Sequence, residues 1–334
     1  MGRSIRLAAL LGVMLLARGP ATAGPAPDVR PSQPAANLSP IVQIFGLPRL
    51  TQGLTRPGET RLRLDMDWAS HAVSDRAGAA FVRLDGESRR FALTLEGALA
   101  PQGAWWALEL PYLTHSGGVL DRPIDAWHRA LGLPPGDRAG RPRGALRYRV
   151  VDRKGREVLR HSRAAAGPGD AALSAGAPLA VPALAAGALT AAVRLEAPTG
   201  DPDRLLGNGH WDAAGWLALA GRHGAWSGHL AVGGLYMAGS EVLPGRHRQR
   251  AWFGRAALGW RLLAPLMLRA QLDRHGPLYD SPLTPLGSPA WELRLAAAWT
   301  PGPDYRVTAG FSEDIAVGTA PDITFHLGVA RTWR

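Results

Sequence analysis

The chain has 334 residues, no Cys and a formal net charge of +11 at pH 7. The absence of Cys excludes a disulfide framework, thiol chemistry and a lipoprotein anchor. A mean hydropathy of -0.07 is too low for a bundle of membrane helices, but it suits a membrane β-barrel, in which alternate residues of each strand face lipid. The positive charge comes from Arg residues scattered along the chain, with Lys154 as the one Lys, and this distribution argues against nucleic acid as a partner.

The first 58 residues precede the predicted strands. Residues 1–23 have a basic start, an apolar run at 7–17 and an Ala-Thr-Ala cleavage sequence at 21–23, which predicts a secretion signal peptide that is removed. Residues 24–58 are predicted to be a periplasmic leader or plug segment. They begin rich in Pro and Ala, whereas residues 37–50 are more apolar and are expected either to plug the mouth of a barrel or to pack on its rim.

Residues 59–334 are predicted to form one barrel, because about twelve segments within this range alternate apolar and polar side chains, which is typical of strands. In residues 291–299 one face is apolar and has Trp291 and Trp299 at its ends, while the other face carries charge. Trp252 and Trp260 repeat this eight-residue spacing, which spans roughly 20 Å in a tilted strand and approaches the ~25 Å apolar band of outer-membrane barrels. The pattern predicts an all-β fold, a transmembrane antiparallel up-and-down β-barrel of about twelve strands. The predicted strands are residues 60–70, 88–98, 105–115, 170–179, 187–197, 210–220, 225–237, 250–262, 265–274, 291–300, 305–312 and 323–333.

The predicted connections alternate between short and long, as periplasmic turns and outer loops do in outer-membrane barrels. The longest one, residues 116–169, contains a short helix near Pro123 with Ile124, Trp127 and Leu131 on one face. This helix is expected to constrict the lumen or to cover the outer mouth. A hairpin at residues 147–160 is expected either to stand beyond the membrane or to raise the strand count to fourteen. Residues 171–193 have the length of a membrane helix, but two Pro residues would break it, so two strands are predicted there.

The two faces of the predicted strands carry different residue types. The outward face is expected to hold aromatic girdles where lipid meets water. The girdle candidates are Trp68, Trp106, Tyr112, Trp211, Trp226, Tyr236, Trp252, Trp260, Trp291, Trp299, Tyr305 and Trp333. The lumen candidates are Arg63, Asp65, Asp67, Glu96, Glu109, Arg194, Glu196, Asp212, His229, Arg255, Arg261, Arg269, Gln271, Asp273, Glu292, Arg294, Arg306 and His326. These charges would either pair in a filled interior or line a narrow polar path for solutes.

Catalytic and metal-binding signals are weak in this sequence. His115 with Ser116, and Asp280 with Ser281, lie near strand ends where a lipid-modifying barrel could hold a nucleophile, but no motif completes a triad. His210 with Asp212, and Asp273 with His275, offer two metal ligands each, and the turn at residues 198–203 is expected to be a loop rather than a calcium site. No enzyme activity, cofactor or metal is predicted.

Several short motifs recur in one known group of proteins. They are Phe-Gly-Leu-Pro at residues 45–48, His-Ser-Gly-Gly at 115–118, Trp-His at 127–128, Leu-Gly-Leu-Pro at 131–134, Leu-Tyr-Asp-Ser at 278–281 and Ser-Glu-Asp at 312–314. On these motifs the chain resembles a family of Gram-negative outer-membrane β-barrel-like proteins of unknown function. The resemblance implies an envelope barrel and supplies no activity or site residues. In one departure from the usual barrel ending, Arg334 follows the aromatic Trp333.

Three functional hypotheses follow. The first is a narrow pore or transporter for small solutes in the outer membrane. The second is a closed barrel with a structural or surface-binding role, and the third is a lipid-modifying enzyme of that membrane. The expected partners are outer-membrane lipid, lipopolysaccharide, the barrel-assembly machinery acting on the last strand, and a small solute.

Overall fold

The computed structural model describes residues 33–34, 36–50, 58–99, 103–131, 142–180 and 187–333. The predicted signal peptide therefore lies outside the described residues. The strands are β1 Thr60–Ala77, β2 Ala80–Leu99, β3 Ala104–Ser116, β4 Arg147–Val151, β5 Glu157–His161, β6 Ala165–Pro168, β7 Ala171–Leu179, β8 Gly187–Ala197, β9 Asp212–His223, β10 Trp226–Met237, β11 Arg250–Leu263, β12 Leu266–His275, β13 Ala290–Trp299, β14 Tyr305–Asp314 and β15 Ile323–Trp333. The helices are α1 Asp121–Leu131, α2 Thr284–Gly287 and a 3-10 turn at Pro202–Arg204.

Twelve strands of the described chain, β1–β3 and β7–β15, form a closed antiparallel barrel. The first strand pairs with the last, from Thr60 opposite Trp333 to Ser70 opposite Ile323. Closure leaves the wall without an unpaired edge, as a membrane-spanning sheet requires. The three short strands are not part of the barrel wall. Strands β4 and β5 form a hairpin that pairs with the beginning of β2, and β6 pairs with the end of β3. The prediction of about twelve strands is confirmed, and the alternative of fourteen is wrong.

The first hairpin is longer than the sequence pattern predicted. The predicted strands 60–70 and 88–98 leave residues 71–87 as a long connection, but β1 runs to Ala77, the chain turns at Gly78, and β2 returns from Ala80. Gly78 has a φ of +61°, a conformation that glycine adopts without steric cost. Polar residues on the exposed face of this hairpin resemble a loop in sequence. The opposite face buries Val82 and Leu84 against structure above the barrel, so these strands continue past the membrane level.

Along the wall strands, polar side chains are buried and apolar side chains are exposed, which is the reverse of the pattern in a soluble protein. In β10 the polar Ser227 and His229 are each 2% exposed, whereas Leu230 and Val232 are 48% and 60% exposed. The other wall strands repeat this inversion. Large apolar side chains in this number on an outer surface would destabilise a protein in water, so the surface matches a lipid environment.

Helix α1 lies on the outside of the barrel wall. Ile124 is buried against Ile323, and Trp68 and Phe311 pack on this pair. Trp68 and Phe311 flank the exposed Phe325 directly across the three neighbouring strands, so all three face outward. The expectation that this helix constricts the lumen or covers the mouth is wrong, because its apolar face finds an apolar partner on the outer rim. The side chains of Trp127 and Leu131, and residues 132–141, lie outside the described part of the chain.

Within the described ranges, no helix combines the length and the apolar character needed to cross a bilayer.

Candidate functional site

The lumen of the barrel holds a separate piece of chain, residues 36–50, which we call the plug segment. It rises from the middle of the barrel, turns beneath the long loops, and comes back down. Near the two ends of the plug segment, the guanidinium of Arg255 donates to the carbonyls of Gln33, at 3.0 Å, and Leu50, at 2.6 Å. Nearer the long loops, the side-chain amide nitrogen of Asn37 lies 3.0 Å from Nε2 of His275. The described residues of this segment therefore lie inside the barrel wall.

The apex of the plug segment is apolar and fully packed. The backbone turns tightly where the N–H groups of Val42 and Gln43 donate to the Ser39 carbonyl, at 2.8 and 2.9 Å. Ile41 is buried, and its carbonyl accepts a 2.7 Å hydrogen bond from the Tyr279 hydroxyl. The apex side chains belong to one apolar cluster with residues of the long loops and of the upper strand ends. This packing holds the turn, because its apolar groups would otherwise face a polar lumen.

Gly46 brings the returning arm of the plug segment against the barrel wall. Its N–H donates to the Asp212 carboxylate at 2.9 Å. A Cβ at this position would stand 2.9 Å from the Cβ of Asp212 and 3.5 Å from that of Glu196. The close approach therefore requires a residue without a side chain.

Arg49 joins the plug segment to the charges of the wall. Its side chain is 2% exposed, and it contacts Asp67 at 2.5 Å and Glu109 at 4.0 Å. The other oxygen of Asp67 accepts from the His326 ring at 2.5 Å. Glu109 also accepts from Arg194 at 2.9 Å. A single plug residue therefore completes two clusters of wall charges.

A second group of charges pairs within the wall alone. Arg63 contacts Asp65 at 2.6 Å and Glu96 at 2.8 Å, and Arg61 contacts Glu96 at 3.3 Å. Buried charges are tolerated when each has a partner of opposite sign and hydrogen bonds. Ion pairs therefore fill part of the lumen, beside buried inward apolar side chains such as Trp105, Trp216 and Phe253 and the plug segment itself.

The structure places all eighteen lumen candidates on the inner side of the wall. Fifteen of them are buried, and Arg261, Asp273 and Arg306 are half-buried. The girdle candidates lie on the outer side, where nine are exposed and Trp68, Trp106 and Trp291 are half-buried.

Sequence reasoning missed several residues of the site, and one of them, Arg49, carried a readable signal. Arg61, Arg90 and His275 are buried inside the barrel, but the sequence pattern did not assign them to the lumen and offered His275 as a weak metal-ligand candidate instead. Arg49 is the one charged residue in residues 37–50. A lone charge in an apolar segment that enters a barrel must find a partner there, and this reasoning could have selected Arg49.

The two serines considered from sequence, Ser116 beside His115 and Ser281 beside Asp280, make other contacts or face away from these neighbours. The His115 ring contacts the Ser88 hydroxyl at 3.0 Å and the Leu205 carbonyl at 3.0 Å, while Ser116 points to the opposite side of the strand. Ser88 and His115 are fully buried, so a substrate cannot reach them. Ser281 accepts a hydrogen bond from the backbone N–H of Leu283 at 3.2 Å, which is turn chemistry.

The metal-ligand pairs considered from sequence have other partners. Asp212 accepts from Gly46 and from the Asn208 amide, and Asp273 contacts Arg255 at 2.5 Å. Asp201 caps the 3-10 turn in the connection between β8 and β9. Among the residues that the structure describes, no group of three or more His, Cys, Asp or Glu could hold a metal ion.

Several solved structures are similar to this chain at low sequence identity. An outer-membrane channel from Pseudomonas putida F1 superposes with a TM-score of 0.53 at 15% identity, covering 85% of this chain and 100% of that chain. This likeness shows a common fold. A NanC porin gives a TM-score of 0.47 at 7% identity over 81% and 98% of the two chains. A CymD monoaromatic hydrocarbon channel gives 0.41 at 10% identity over 89% and 98%.

No curated protein matches the chain in sequence. The family described as "Protein of unknown function (DUF3187)" matches residues 30–333, a range that contains the plug segment and the whole barrel. The resemblance inferred from the short motifs is confirmed, and the chain belongs to this family.

Proposed function

We propose that the protein is an outer-membrane channel for small solutes and that the plug segment holds its lumen closed. The observation that carries this proposal is that a separate stretch of chain, rather than wall side chains alone, occupies the lumen. Charges buried in a dry interior lose hydration and are often replaceable by apolar residues without loss of stability. A wall lined with Arg and carboxylate groups such as Arg63 and Glu109 therefore suits a lumen that fills with water when the plug segment leaves.

The exposed apolar band and the closed sheet support a position in the outer membrane, with the short turns on the periplasmic side and the long loops outside. In this orientation the plug segment enters from the periplasm, since both its ends lie below its apex. A signal peptide at residues 1–23 and delivery to the barrel-assembly machinery through β15 are part of the same proposal.

A reversible disulfide cross-link between the plug segment and the wall tests the channel hypothesis. Because the chain has no Cys, a double variant, Gly46→Cys with Glu196→Cys, contains one pair of thiols. The corresponding Cβ atoms are 3.5 Å apart, which fits a disulfide. In planar bilayers the oxidised protein should show no openings, and a reductant should restore them. The reduced double variant is the reference, because a side chain at position 46 also displaces Asp212 slightly.

Deletion of residues 36–50 is the complementary experiment, because it removes the plug segment that the disulfide holds in place. The deleted protein should conduct continuously, provided that circular dichroism shows an intact β-barrel. A folded deletion variant that passes neither ions nor small sugars in liposomes would refute the channel and would favour a closed structural or surface-binding barrel. The ion pairs within the wall, such as Arg63 with Glu96, are the observation that supports that second candidate.

A lipid-modifying enzyme is the weakest of the three hypotheses. The solved structures that share the fold are channels and porins by their descriptions, and the buried contact between Ser88 and His115 is closed to substrate. The proposal is therefore that the protein is not an enzyme. Unchanged membrane lipid composition in cells that carry Ser116→Ala and Ser281→Ala is the expected result.

A further inference from the structure

A pocket of about 220 Å³ opens at the long-loop end of the barrel, above the plug segment. It lies between the tip of the β4–β5 hairpin and the connections that follow β10 and β12. Its floor is apolar and buried, and it is formed by Val150, Leu243, Leu283, Leu286 and the ring of Tyr279. A buried apolar floor favours an apolar group over water.

The rim of the pocket is charged and has an excess of positive groups. Four cationic residues and two carboxylates line it. Asp152 is already neutralised, because it contacts Arg156 and Arg246 at 3.0 Å each. Arg153 and Lys154 are exposed, and in the described residues no carboxylate contacts their side chains. The rim can therefore receive one negative group without giving up an existing ion pair.

We infer that this pocket binds a small amphipathic anion, an apolar ring or short chain that carries one carboxylate. The inference deepens the proposed function, on which it rests, by naming the solute class that the channel captures outside the membrane. The volume supports a single ring, since a dry apolar cavity of roughly 150 Å³ holds benzene. The carboxylate would lie at the rim beside Arg153 and Lys154, and the ring would rest on the apolar floor.

The pocket also contacts the residues that hold the plug segment. The Tyr279 hydroxyl donates to the Ile41 carbonyl at 2.7 Å, and its ring meets that of Phe45 with centroids 5.6 Å apart. Leu243 and Leu283 line the pocket and also belong to the apolar cluster that buries the apex. An anion that occupies the pocket therefore touches the same side chains that fix the plug segment in its closed position.

The single Lys of the chain provides a direct probe of this site. Reductive methylation with a carbon-13 label marks Lys154 and the chain terminus and keeps the positive charge of both. Benzoate added to the labelled protein in detergent micelles should shift the Lys154 signal saturably and leave the terminal signal unchanged. Acetate, benzyl alcohol and benzylammonium each lack one recognised feature, and they should bind roughly tenfold or more weakly.

Matched variants test the position of the site. Arg153→Gln removes a rim charge and should weaken benzoate binding roughly fivefold, the size expected for one partly exposed ion pair. Arg163→Gln removes an exposed charge away from the pocket and should leave the affinity unchanged. Equal binding of acetate and benzoate, equal binding of benzyl alcohol and benzoate, or no saturable shift would each overturn the inference. These measurements need no current through the barrel, so they fail or succeed separately from the channel hypothesis.

Discussion

Replacing Arg49 by Gln tests whether charge pairing keeps the plug segment in the lumen. In the docked state the substitution leaves Asp67 and Glu109 facing a group without charge, inside a space from which the plug segment excludes water. In the undocked state the lumen fills with water, which solvates both carboxylates. The substitution therefore destabilises the docked state relative to the undocked one.

The size of this effect follows from the contacts. Removing one partner of a buried ion pair costs about 3–5 kcal/mol. Asp67 retains the His326 ring at 2.5 Å, and Glu109 retains Arg194 at 2.9 Å, so the lower end applies. A loss of about 3 kcal/mol raises the ratio of undocked to docked protein roughly a hundredfold.

Single-channel recording measures this ratio as the ratio of open to closed time. Arg49→Gln should raise it roughly a hundredfold, and Arg49→Lys should raise it less because the charge remains. The matched control is Arg63→Gln, which breaks a buried ion pair within the wall and should lower stability without favouring opening. An unchanged ratio in Arg49→Gln, or an equal rise in Arg63→Gln, would show that this ion pair does not hold the channel closed.

Three further predictions concern other contacts of the folded protein. Gly46→Val places a Cβ 2.9 Å from that of Asp212, so docking should weaken by about 1–3 kcal/mol and open time should rise in the same recordings. Glu87→Ala removes the carboxylate that accepts from Trp68 and from Leu120 just before α1, at 2.6 Å each, and hydrogen exchange in α1 should become faster. Hydrogen bonds from the backbone and side chain of Arg156 lower the pKa of Asp152 to about 2. Because this pKa is depressed, the contacts of the Asp152 carboxylate should keep the β4–β5 tip ordered from neutral pH to about pH 4, and this order should be lost as the pH falls toward 2. The NMR chemical shift of the carboxyl carbon measures this titration.

The alternation of side chains was enough to predict the wall of this protein. A strand places successive residues on opposite faces, so Trp252 and Trp260, in phase with the aliphatic residues between them, predict the lipid side without any knowledge of partners. The same phase put residues such as Asp67 and Arg294 on the inner side. This phase also excludes a register shift by one residue, because that shift would turn every charge toward lipid.

Contacts between distant parts of the chain decided the rest. Arg49 and Asp67 are close in sequence, but Arg49 also meets Glu109, and Ile41 meets Tyr279 from 238 residues away. No periodicity within residues 36–50 distinguishes a segment inside the lumen from one on the rim, since both positions bury the same apolar groups. Helix α1 has the same ambiguity, because its apolar face fits a lumen, a mouth or an outer rim equally well. Its location depends on which apolar surface remains uncovered once the barrel closes, and that surface exists only in the folded molecule.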